Sequence, residues 1–193
     1  MAPIVLIAQQ RVPNFPIDSL SGHIQYRLKL DFPGVDKKKI FDVMIKWFVT
    51  NGGPNNPAII GQDQDRSAIS ALLMGSCDQD YQGITKDLLT TQFELKMIVT
   101  DGEAVITISN FEVNRGGGME QLENFRDYVA RTNPGEQAAK APLQGMTAKD
   151  NQALLGKFAD RDSDMLDNIN HTASAILRDA RRYVKKAQKK QLI

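Results

Sequence analysis

Ile24-Gln25-Tyr26-Arg27-Leu28-Lys29-Leu30-Asp31-Phe32 is the stretch that decides the fold class. Ile24, Tyr26, Leu28, Leu30 and Phe32 fall on one side of an extended chain, and Gln25, Arg27, Lys29 and Asp31 on the other. A period of two is a strand with one dry and one wet face. Pro33-Gly34 ends it. Asp36 is placed to cap a following helix. In that helix Ile40, Met44, Trp47 and Phe48 share one face, with Val43 at its edge, and Asn51-Gly52-Gly53-Pro54 stops it. The apolar faces of strand and helix must bury each other, with Trp47 as the expected anchor.

Downstream, Ala58 to Gln62 and Ser67 to Gly75 read as two strands joined by the polar Asp63-Gln64-Asp65-Arg66, and residues 76–90 as a loop. Phe93, Leu95, Met97 and Val99 then alternate with Glu94, Lys96 and Thr100. Asp101-Gly102 is a hairpin signal, and Ala104 to Val113 returns as the partner strand. Strand, helix and four strands make an α+β class: an antiparallel curved sheet with one helix after the first strand, followed by C-terminal helices. Upstream, residues 11–22 carry Pro13, Pro16 and Gly22 and read as an extended lead-in.

Beyond Asn114-Arg115-Gly116-Gly117-Gly118, Met119 to Arg131 reads as a helix with Leu122, Phe125 and Val129 on one face. Residues 132–146 read as a linker. Thr147 and Asp150 form a capping box for a helix through Phe158. A second and longest helix is expected from about Asp164, with Leu166, Ile169, Ala173, Ile176, Ala180, Tyr183 and Ala187 in a narrow stripe. Its small alanines suit close packing within the same chain. The expected organisation is an N-terminal extension (1–22), an α+β domain (23–113), a helix and linker (114–147) and a C-terminal helical segment (148–193).

With 193 residues, 41% hydrophobic and 24% charged, the chain is long enough for a real core. A net charge of +1 gives no global pull toward nucleic acid or an anionic membrane. The single cysteine, Cys77, excludes an intramolecular disulfide; Asp78 and Asp80 beside it disfavour a nucleophilic thiolate. No apolar run approaches the ~20 residues of a membrane-spanning helix. Pro3 to Ala8 is apolar and precedes Gln9-Gln10-Arg11, as at the end of a signal peptide cut after Ala8. No basic segment precedes it and Leu6 fits that cut poorly, so an apolar tail or extra edge strand stays open beside export.

Three stretches stand out in order: Phe32-Pro33-Gly34-Val35-Asp36-Lys37-Lys38-Lys39-Ile40-Phe41, then Lys46-Trp47-Phe48, then Leu95-Lys96-Met97-Ile98-Val99-Thr100-Asp101-Gly102 continuing to Ile106-Thr107-Ile108-Ser109-Asn110-Phe111. With these motifs the sequence from residue 24 to 113, about half of the chain, resembles a Bacteroidetes secreted family of unknown function with a TATA-binding-protein-like (TBP-like) fold. The resemblance implies that fold and an export signal, hence a periplasmic or secreted location; otherwise the chain is expected in the cytoplasm. It supplies no catalytic residues. One fold hosts many functions, so the fold's name does not imply DNA binding.

Candidate chemistry is sparse. His23 and His171 have no second His or Cys at ligand spacing and read as solvated. Asp160-Arg161-Asp162-Ser163-Asp164 has the acid spacing of a calcium loop, but Met165 stands at the turn glycine and His171 at the bidentate glutamate, so Asp162 or Ser163 as a helix cap is the better account. Asp63 and Asp65 fail the same comparison. Gly116-Gly117-Gly118 lacks a phosphate-loop pattern and reads as a hinge. Lys37, Lys38 and Lys39 read as a solvated first turn, against the alternative of a small anion site. The one strong asymmetry is Arg178, Arg181, Arg182, Lys185, Lys186, Lys189 and Lys190 against the single nearby acid Asp179. That run is a solvated helix end or a contact to phosphates of lipid or nucleic acid, without aromatic support for base stacking.

The expected function is therefore a non-enzymatic, exported interaction or structural module with a protein partner and no cofactor or metal. One alternative is an apolar small ligand held between the sheet and residues 165–184; another is anion binding by the basic run. No specific nucleic-acid partner is expected.

Overall fold

A computed structural model describes residues 12–51, 58–63, 68–77, 89–114, 118–131 and 147–190. The elements are β1 (Tyr26–Asp31), α1 (Lys37–Asn51), β2 (Ala58–Asp63), β3 (Ala68–Cys77), β4 (Leu89–Thr100), β5 (Glu103–Asn114), β6 (Met119–Gln121), α2 (Leu122–Arg131) and α3 (Ala148–Lys189). All strand pairs are antiparallel, in the order β1-β5-β4-β3-β2. One edge of β5 takes β1 along Glu103 to Ile108 and then β6 along Glu112 to Asn114. The expected strand residues 67–75 extend to Cys77, and β4 starts at Leu89; residues 78–88, like Pro3 to Ala8, Asp65, Gly116-Gly117 and the linker 132–146, lie outside the described residues.

Alternation turns into layering as expected. Tyr26, Leu28, Leu30, Ile69, Ala71, Leu73, Phe93, Leu95, Met97, Val99, Ala104, Ile106 and Ile108 are all buried on one face, under the helices. Ile40, Met44, Trp47 and Phe48 of α1 are fully buried against that face. Asp36 caps α1, accepting from the Lys39 amide at 3.0 Å. The hairpin tip is stitched to the start of the same helix. Gly102 (φ +78°) donates to the Val35 carbonyl and accepts from the Phe32 amide, while the Lys37 amide donates to the Asp101 carboxylate at 2.8 Å. Two protein carboxylates thus occupy the N-terminus of α1.

Asn110 interrupts the alternation. The β4–β5 register shifts between Gln92 and Glu94, and Asn110 takes φ 54° there, so that Phe111 and Val113 return to the buried face. Its amide donates to the Glu94 carboxylate at 2.7 Å.

Two expected boundaries are corrected. Met119 to Gln121 is a strand, not the first turn of a helix, because β5 offers a free edge there; α2 starts at Leu122. The C-terminal segment is one helix, not two: α3 runs unbroken from the Thr147 cap, whose hydroxyl accepts from the Asp150 amide, to Lys189. Asp162 and Ser163 are mid-helix rather than caps. The acidic stretch carries no glycine or proline, and Asp162, buried to 5% exposure, accepts two bonds from the Arg161 guanidinium at 3.1 and 2.9 Å. Arg161 in turn lies over the Phe158 ring at 5.0 Å. A buried charge matched by its neighbour removes the reason for the chain to leave the helix.

Candidate functional site

The basic run forms the last third of α3's outward side. Arg178, Arg181, Arg182, Lys185, Lys186, Lys189 and Lys190 are all exposed. At about 100° per residue, Arg178, Arg182, Lys185 and Lys189 fall opposite the buried Ala173, Ala180 and Ala187, with Arg181 to one side. Lys186 and Lys190 flank them. Asp179 lies on the flank with Lys186 and Lys190, and its carboxylate accepts from the Trp47 indole N–H at 2.9 Å. The one acid in the run is thus drawn toward α1, which leaves the outward side uniformly cationic. The sequence showed the charge run; that its single acid is turned aside needed the packing of α1 on α3.

N-terminal to the cations, the same side of α3 carries an open, polar depression of about 540 Å³, lined by Asp167, Asn168, Asn170, His171, Ser174 and Arg178. His171 is exposed here, and His23 is exposed beside Glu123 at 3.5 Å, as solvated histidines would be. The Glu123 carboxylate also accepts from the Ile24 amide at 2.6 Å, which ties α2 to the start of the sheet. Among the described residues no group of three or more His, Cys, Asp or Glu side chains is placed to hold a metal ion, and no described helix is long and apolar enough to cross a membrane.

Where sheet meets α3, the space expected for an apolar ligand is filled by side chains. Met165, Leu166, Ala173 and Ala180 are at most 1% exposed. The Tyr26 hydroxyl donates to the Asn170 carboxamide at 2.5 Å, and burial pushes the phenol well above its ordinary pKa. The Gln188 amide reaches the Asp31 carbonyl at 3.4 Å near the far end.

The far face of the sheet is a second surface, which the sequence marked only as wet. Register brings Arg27, Thr107, Lys96 and Ser70 into one row across four strands, and Lys29, Val105, Ile98 and Ala68 into the next. Among the described residues no element packs on it. Two of its charges are locally matched: Lys29 contacts Glu103 at 2.6 Å, which holds the ammonium above its ordinary pKa, and Glu112 accepts from Gln92 and Gln121. Alternation reveals which residues face outward, but not which lie side by side, because register is a long-range property.

No known family profile matches the chain, and a search among curated proteins found no match. Solved structures do. One is a DUF4468 family protein from Bacteroides ovatus, 14% identical, with a TM-score of 0.50 over 83% of this chain and 90% of that one. This chain has that protein's fold. Another similar structure, described as a TBP-like protein from Parabacteroides distasonis, is 12% identical with a TM-score of 0.45, over 84% of this chain and 96% of that one. The α+β architecture expected from the sequence, and the Bacteroidetes source of the family that the motifs resemble, agree with the first of these likenesses. At such identities the likeness concerns the fold alone, and neither description assigns a role. The covered share exceeds the span of the motifs, so the fold likeness takes in more than the α+β domain.

Proposed function

We propose that this chain is a non-enzymatic, exported interaction or structural module that engages a protein partner through the open face of its sheet. The observation that carries this reading is the row Arg27, Thr107, Lys96 and Ser70 beside Lys29, Val105 and Ile98 on a face that no described element covers. Ile98 is 42% exposed there. Mixed apolar, hydroxyl and charged groups spread over a broad surface suit docking better than chemistry, which needs polar groups converging on a cleft. Side-chain filling between sheet and α3 favours this reading over an apolar ligand in that space.

The test is affinity capture from the native host's envelope with the intact protein and with Arg27→Glu/Lys96→Glu. A defined protein retained by the first and lost by the second is expected; equal capture by both overturns the reading. Export is tested separately by N-terminal sequencing of the protein from its host: a start at Gln9 is expected, and intact Met1 removes export.

A second reading has its own observation. The outward cations of α3, with Asp179 turned to Trp47, suit phosphate groups of lipid or nucleic acid. It predicts binding that falls steeply with salt, and no binding at low salt ends it.

A further inference from the structure

The outward side of α3 has an order of its own. Asp160, Asp164 and Asp167 lie on the same narrow stripe as Arg182, Lys185 and Lys189, at alternating spacings of four and three residues, and all six are exposed. Acids occupy the first half of the stripe up to His171 and bases the second from Arg178 on; the register below sets these two inner residues opposite each other. Read antiparallel to a copy of itself, the stripe matches Asp160 with Lys189, Asp164 with Lys185 and Asp167 with Arg182, in one common register. The centre of that register falls between Ser174 and Ala175, both small and half-buried. The open depression around His171 and Ser174 lies at the same place.

We propose that α3 is the docking surface for a second copy of this chain, in a two-fold antiparallel pairing centred on Ser174 and Ala175. A two-fold interface must be self-complementary, and a helix face whose charge reverses about its own midpoint is so by construction. Each of the three acid–base matches forms twice. The small central residues let the helices approach, and the depression receives the partner helix. A flat polyanion fits the stripe less well, because the acidic half would face it with like charge. The apolar stripe of α3 is buried on its own sheet, so the pairing rests on exposed charges and is weak and salt-sensitive. This deepens the reading of the chain as an interaction module by naming a partner. It uses a different surface from the sheet face, so either can fail alone.

The test is sedimentation of the full chain across a wide concentration range. At low ionic strength a reversible monomer–dimer equilibrium is expected, with an apparent Kd at least about ten-fold weaker near 0.5 M salt. Asp160→Lys/Asp164→Lys/Asp167→Lys and Arg182→Glu/Lys185→Glu/Lys189→Glu should each be monomeric alone and form a one-to-one heterodimer when mixed. All six changes in one chain should restore the homodimer. Should a charge variant not fold, Ser174→Cys in a Cys77→Ser background replaces it: oxidation should yield a disulfide-linked dimer at low salt that high salt suppresses. A wild-type chain that stays monomeric at every concentration overturns the proposal. So does dimerisation indifferent to both charge reversals, or a monomer that sediments instead with anionic vesicles.

Discussion

The bond between the Trp47 indole and Asp179 joins the first helix to the last, and its removal tests the packing of α1 on α3 directly. Trp47 is fully buried, and its N–H donates to the Asp179 carboxylate at 2.9 Å. Trp47→Phe removes roughly 40 Å³ of ring, worth ~1 kcal/mol at the usual cavity penalty. It also removes a bond to a charged acceptor, worth about 1.5–3 kcal/mol. A total loss of about 2.5–4 kcal/mol is expected. Asp179→Ala leaves the donor without its acceptor, at about 1–3 kcal/mol; because Asp179 itself lies at the surface, water can partly replace it and the lower half of that range applies. Asp179→Asn keeps an acceptor and should lose less. In the Trp47→Phe background Asp179→Ala has no donor to strand, so its remaining effect is on the surrounding cations, which cancels in the cycle. A coupling of about 1–2 kcal/mol should remain. Urea unfolding followed by far-ultraviolet circular dichroism reads all five proteins. Trp47 is also the only tryptophan, so its fluorescence reports the same contact in the variants that keep it. Equal effects of Asp179→Ala in both backgrounds would refute the bond as a link between the helices.

The continuity of α3 is tested by Asp164→Pro. Mid-helix proline should destabilise by about 3 kcal/mol or more, whereas at the first position of a separate helix capped by Ser163 it would be tolerated, so an unchanged melting temperature contradicts one continuous helix. At Asn110, with φ 54°, alanine should lower stability by about 1–2 kcal/mol and glycine by only a few tenths in thermal melts; equal effects would mean that no left-handed residue is needed at the bulge. Burial raises the Tyr26 pKa above its unfolded value. The unfolded phenol therefore ionises first, and the stability this group contributes is complete below about pH 10 and lost as pH rises further. Denaturant titrations should show that alkaline loss reduced in Tyr26→Phe, and parallel curves for the two proteins would contradict it.

Alternation alone determined which residues of β1 and β4 lie inside, because a strand has only two faces and water selects between them; in β5 the bulge at Asn110 breaks the alternation. The same local logic placed α1 and its cap, the Asp101-Gly102 hairpin, the Thr147 cap and the face of α2. What lay beyond it was long-range. Whether Met119 to Gln121 is helix or strand depends on a free edge of β5, and whether Asp162 ends a helix depends on the burial of its charge beside Arg161. The basic run was legible as composition. Its uniform outward side was not, since that arises only when Trp47, far away in sequence, takes the one acid for itself. Local patterns fix what a residue prefers as its surroundings. Which surroundings it obtains is settled by the partners that the rest of the chain brings to it.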